Sequence, residues 1–247
     1  MDRLLYTSMS GINRVLDAQA QNAGNLANAS TTAFKAALSA SVERPVGGDG
    51  MPTRVSVASQ SGGADLSAGT LLSTGNALDV AIRGQGWMVV QGPGGDEALS
   101  RRGDLTIDVN GLLRTGAGNP VLGDGGPIAI PPSRSVTIGA DGTISVIPLG
   151  QGPEAPAVVD RIRLVNPDPA ALRRDTDGLF RTEDGQTPPA DAEVRLLSGH
   201  LESSNVNLAD AMVEMISLSR QFEMQVRMMR IADDNAESAS RLMRMQG

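Results

Sequence analysis

The chain has 247 residues, a net charge of −7 and no cysteine. That length holds one large domain or two modest ones with a real core. The missing cysteine excludes a thiolate nucleophile, a cysteine metal site and a disulfide. The charge is spread along the chain without a basic patch, which argues against nucleic-acid binding. Aromatic residues make up 2% of the chain (Tyr6, Phe34, Trp87, Phe180 and Phe222), too few to build stacking platforms for bases or sugars. Arg outnumbers Lys twenty to one, with Lys35 the single Lys. This bias reads as codon composition.

Met1-Asp2-Arg3 opens onto an amphipathic pattern and not an unbroken apolar run. It is neither a secretory signal peptide nor a membrane span, so no membrane insertion is expected. Residues 3–29 predict a helix. Leu5, Met9, Ile12, Leu16, Ala23 and Leu26 fall on steps of four and three, an a/d seam with a 3.5-residue period interrupted by Gln19. Gly11 and Gly24 each cost roughly 1 kcal/mol against Ala, so such a helix needs a partner. Residues 36–77 are rich in Ser, Thr, Gly, Ala and Pro. They predict an extended connector with short strands at most, for instance Arg54-Val55-Ser56-Val57.

Residues 78–197 predict a β domain. Short runs recur at Leu78 to Ile82, Trp87 to Val90, Leu105 to Val109, Val136 to Ile138, Thr143 to Ile147, Arg161 to Val165 and Val194 to Leu197. Asn110-Gly111, Asp141-Gly142, Asp177-Gly178 and Asp184-Gly185 supply the positive φ that tight turns require. Many short strands suggest a sandwich or open barrel. Residues 206–245 predict a second helix, capped by Asn207 with Asp210 in its first turn. Leu208, Ala211, Met215, Leu218, Phe222, Met229, Ala232, Ala236, Ala239 and Met243 continue the four-three stepping. At ~60 Å this helix outruns a small β domain. Met212, Ile216 and Val226 widen its apolar face, as for a helix with more than one partner.

The chain goes out through one seam and returns through the other. The expected fold is therefore α+β, with long N- and C-terminal helices forming an antiparallel coiled-coil domain and a central all-β domain. The divisions are 1–35 (N-terminal helix), 36–77 (connector), 78–197 (β domain) and 198–247 (C-terminal helix). No catalytic, cofactor-binding or metal-binding set emerges. His200, the lone His, reads as a turn residue. Asp108-Val109-Asn110-Gly111 lacks the ligand count and closing Glu of a calcium loop. Gly84-Gln85-Gly86 opens no helix, as a dinucleotide site would require. The Met residues read mainly as seam filling.

Two stretches carry a resemblance. Asn25-Leu26-Ala27-Asn28-Ala29-Ser30-Thr31-Thr32-Ala33-Phe34-Lys35 resembles the segment that ends the first helix of bacterial flagellar rod and hook proteins. Leu201-Glu202-Ser203-Ser204-Asn205-Val206, with Met215-Ile216 and Arg220-Gln221-Phe222-Glu223, is similar to that family's approach to its C-terminal helix. Thr74 to Trp87 and Arg101-Arg102-Gly103-Asp104-Leu105, continuing to Asn110-Gly111-Leu112-Leu113, resemble the start of its β domain. Ala33 stands where the family usually has Gly, which suggests a turn that avoids positive φ. Ser219 replaces the usual Gln.

The resemblance implies a structural subunit of the basal-body rod, not an enzyme, that transmits torque through axial assembly and uses no cofactor. It implies export through the flagellar apparatus without a cleaved signal peptide, a periplasmic location, and partners that are copies of itself and other rod proteins. The implied assembly interface comprises Leu5, Met9, Ile12, Leu16, Asn25, Leu26, Asn28, Phe34, Leu208, Met215, Leu218, Phe222 and Met229. The alternatives are a distal-rod or hook-family axial protein, and a secreted β-rich adhesin.

Overall fold

The structure is a computed structural model that describes residues 2–45, 55–149 and 156–245. The chain divides into two compact units. One comprises residues 1–29, 37–63 and 206–247; the other comprises 30–36 and 64–205.

The first, helical unit contains α1 (Asp2–Ala27), a pair formed by β1 (Ala37–Pro45) and β2 (Val55–Ala64), and the long C-terminal helix Leu208–Met245, α2. The β1–β2 pair falls in the stretch expected to be a connector with short strands at most, and its strands are nine and ten residues long. Gly62 is what lets them approach: a Cβ there would meet the Leu38 carbonyl oxygen at 2.7 Å. Ser, Gly and Ala give such strands little apolar alternation, which hid them. Asn207 caps α2 as expected: its Oδ1 accepts from the Ala209 amide at 3.0 Å, and its Nδ2 donates to Asp210 Oδ2 at 2.7 Å.

The helix pair corrects the sequence expectation. Asn22 Nδ2 donates to the Ala211 carbonyl at 2.7 Å, and Gly11 lies against the Gln225 side chain. The buried residues are Ser8 and Val15 on α1 with Ala211 and Leu218 on α2, while Met9 and Leu16 of the expected seam are 55% and 45% exposed. A coiled coil needs large apolar knobs from both helices. Here the α1 surface in contact is one position off the apolar seam and holds a single Val15 among the small or polar Ser8, Gly11 and Asn22. The helices touch, but the expected antiparallel coiled coil is not formed. The α+β composition stands, with two helices and a mostly β centre. No helix among the described residues is long and apolar enough to cross a membrane.

The second unit is built from β3 (Leu71–Ser73), β4 (Val80–Arg83), β5 (Trp87–Gln91), β6 (Glu97–Ser100), β7 (Leu105–Ile107), β8 (Leu113–Thr115), β9 (Leu122–Gly123), β10 (Gly126–Pro127), β11 (Ser133–Ile138), β12 (Thr143–Pro148), β13 (Ala157–Arg161), β14 (Leu164–Val165), β15 (Leu172–Arg174), β16 (Phe180–Thr182), β17 (Arg195–Ser198) and β18 (His200–Glu202). One sheet runs β14-β5-β6-β16-β15 and another β11-β12-β13; β4 pairs with β17, β3 with β18, β7 with β8 and β9 with β10. All these pairings are antiparallel. The described strands form short ladders that share a core. Ile82, Met88, Leu113, Val121, Ile128, Ile144 and Ile162, drawn from several sheets and the loops between them, form its centre. A smaller cluster holds Trp87 and Phe180, with ring centroids 4.6 Å apart. The four anticipated turn glycines, Gly111, Gly142, Gly178 and Gly185, all have positive φ.

Candidate assembly surface and the buried ion triad

Two features stand out, one in each unit. In the helical unit, α2 is apolar on two sides. Leu218 and Ala211 are buried, and Met215, Phe222 and Met229 on the same side are half-buried. Around the rest of the helix, Met212, Val213, Ile216, Met224, Met228 and Ile231 are each more than half exposed. Leu208 is exposed as well. A helix that is apolar beyond one stripe has more surface to bury than its own chain covers. On α1, Ile12 and Leu26 are half-buried, and the side chain of Leu5 lies outside the described residues.

The polar members of the expected interface hold the chain itself. Asn25 forms both backbone-like bonds to Ala37: Nδ2 donates to its carbonyl at 3.0 Å, and its amide donates to Oδ1 at 2.8 Å. Asn28 Nδ2 donates to the Gly24 carbonyl at 2.9 Å, closing the last turn of α1. Phe34 is buried in the β unit, with the Arg174 guanidinium 4.4 Å from its ring centre.

Ala33 overturns the expectation that Ala avoids a strained turn. Its φ is 53°, the one positive value at a non-Gly position among the described residues. Its amide donates to the Glu202 carbonyl at 2.8 Å, so the turn is kept despite the Cβ.

The second feature lies in the β unit and was not foreseen from the sequence. Lys35 and Glu202 are each 1% exposed, and Arg101 is buried beside them. Lys35 Nζ donates to Glu202 Oε1 and to the Ser67 carbonyl, both at 2.6 Å. The Gly69 amide donates to Oε1 at 2.9 Å, and Arg101 Nε to Oε2 at 2.8 Å. Arg101 also donates to the carbonyls of Gly86 and Gly84. Gly69 must be Gly, because a Cβ there would lie 2.0 Å from the Ser203 carbonyl oxygen. Burial pushes the Glu202 carboxyl up. Arg101, Lys35 and the Gly69 amide outweigh it and hold the group below its ordinary range. Desolvation pulls the Lys35 ammonium down, and Glu202 works against that pull.

His200 begins β18 after the Gly199 turn, its Nδ1 3.0 Å from the Ser198 carbonyl oxygen. Asp108 spends its oxygens on its own hairpin, accepting from the Asn110 and Leu112 amides and from Arg114 Nε.

Residues 81–146 match the family described as flagellar hook protein FlgE/F/G D1 domain, and residues 197–242 match flagellar basal body rod FlgEFG protein C-terminal. These place the chain in the rod and hook class of axial proteins. It is 41% identical to the flagellar basal-body rod protein FlgF of Salmonella typhimurium strain LT2, over 99% of this chain and 100% of that protein. It is likewise 41% identical to FlgF of Escherichia coli K12, over the same shares. FlgF of Caulobacter vibrioides is 34% identical over 98% of this chain and 96% of its own. The chain belongs to the FlgF family of flagellar basal-body rod proteins, structural subunits of the flagellar axis.

Proposed function

We propose that the helical unit is the part that assembles, and that the open apolar side of α2, with Met9 and Leu16 of α1, packs against neighbouring subunits of the rod. The observation that carries this reading is the run of exposed Val, Ile and Met side chains along α2. Each such side chain contributes roughly 1.5–3 kcal/mol when fully buried, so a handful offsets the ordering cost of association. Contacts that repeat head to tail without closing generate a helical shaft. Such a shaft transmits torque between its neighbours, which are copies of this chain and other rod proteins. Leu208 extends the same surface, and the half-buried Ile12, Leu26, Met215, Phe222 and Met229 border it. Leu218 supports it from beneath, and Asn25 and Asn28 hold the end of α1 within the same unit.

The same reading has the subunit exported by the flagellar apparatus without a cleaved signal peptide, assembling in the periplasm, inserting in no membrane and catalysing no reaction. The test is Met224→Asp together with Ile231→Asp. The double variant should be exported and keep the wild-type thermal midpoint, yet be missing from purified basal bodies. Normal incorporation would refute the role given to this face.

A further inference from the structure

The chain passes between the two units four times, after residues 29, 36, 63 and 205. On the β-unit side, all four passages are tied into one hydrogen-bonded group. Ala33 N donates to the Glu202 carbonyl, Asn205 N to the Phe34 carbonyl and Asp65 N to the Ala36 carbonyl. The Asn205 side chain accepts from the Ala36 amide at 2.7 Å and donates to the Asp65 carbonyl at 2.8 Å. Ser203 and Thr70 are joined in both directions, amide to carbonyl and amide to hydroxyl. Beneath them sit Lys35, Glu202 and Arg101, and Arg101 carries the group into the Gly84–Gly86 turn ahead of β5.

We infer that the Lys35–Glu202–Arg101 triad and Asn205 form a single lock, which holds the four passages to the β unit together and opens as one. The chemistry fits such a role. A carboxylate that accepts from two cations and an amide out of water resists the loss of any one partner, because the remaining charges would be left buried and unpaired. Asn205 and Lys35 each join three of the segments, Asn205 through Ala36 and Asp65 and Lys35 through Ser67 and Glu202, so they couple passages that are distant in sequence. A pull on any passage is then shared by the others instead of peeling one segment away. This mechanical meaning rests on the axial-subunit reading; the lock itself does not.

Amide hydrogen exchange on the full-length chain tests it. In Asn205→Ala, the amides of Ala33, Asp65 and Ser203 should exchange at least tenfold faster together, while those of Val89 and Leu99 keep their wild-type rates. Glu202→Gln should act on the same set more strongly. The lock is overturned if only the Ala36 amide, which loses its direct acceptor, speeds up. It is also overturned if Val89 and Leu99 speed up in step, since no separate cooperative group then exists. For the mechanical role, rods containing Asn205→Ala should turn more slowly in viscous medium. Undiminished rotation would remove that role, whereas normal incorporation of the open-face variant would refute the assembly reading alone.

Discussion

The two units solve the problem of apolar surface in opposite ways. The β unit buries an apolar centre of its own: Met88, Leu113, Val121, Ile128 and Ile144 are shut away from water, and the buried Lys35, Arg101 and Glu202 pair with one another. The helical unit pairs its helices through Ser8, Gly11, Val15 and Asn22 and leaves Met and Ile on the outside. A self-sufficient body and one that leaves apolar surface open, in the same chain, fit the assembly role proposed for the helical unit.

The largest test of that contrast is a core truncation. Ile144→Ala should cost the β unit about 2–5 kcal/mol, read as a lowered midpoint by Trp87 fluorescence. The same change at Ile231 should cost less than about 0.5 kcal/mol in the free chain. Equal losses at the two sites would break the comparison.

Acid should act next, and on the β unit. The carboxyls of Asp96, Glu97, Asp108, Asp141, Asp177, Asp184 and Glu202 all sit below their ordinary range. Hydrogen bonds from Arg181 to Asp96 and Asp177, and from Arg114 to Asp108, are the chief causes there. A carboxylate lowered in the folded state contributes stability above its unfolded value, near about 4, and loses it as pH falls through the folded value. The Trp87 midpoint should be level from about pH 7 to 5 and drop below about pH 4. A midpoint level to pH 3 would show that these contacts exist equally in the unfolded chain.

The smallest effect sharpens the contrast at a strained turn. Ala33→Gly removes a left-handed penalty of ~1–2 kcal/mol against the added freedom of Gly when unfolded, for a net gain of about 0.5–1 kcal/mol. Calorimetry should show a slightly higher midpoint for the β unit. A decrease would mean that the Ala33 methyl makes packing contacts worth more than the strain.

Local chemistry was readable in the sequence wherever one rule governed it. Asn207 and Asp210 announced the start of α2, and the Asn-Gly and Asp-Gly pairs announced turns with positive φ. Strands with alternating or apolar runs, such as β5 and β12, were legible too. Periodicity could not say which side of α1 faces α2. The seam through Met9 and Leu16 is the most apolar stripe, yet close approach of the helices favours the smaller residues beside it. The triad was hidden for another reason: Lys35, Arg101 and Glu202 lie in three separate motifs. Only the fold brings them within hydrogen-bonding reach. The resemblance singled out all three segments without showing that they meet.

The solitary lysine has a practical consequence. Twenty arginines carry the remaining basic side chains, so Lys35 is the only side-chain amine in the chain, and it is out of contact with water. An amine-specific acylating reagent, or a protease that cuts only after lysine, therefore finds one side-chain target, and finds it only when the Lys35–Glu202 contact parts. The protein thus carries its own chemical clock for that opening: the rate of modification at residue 35 reports how often the passages let go, in the free subunit or inside a finished rod.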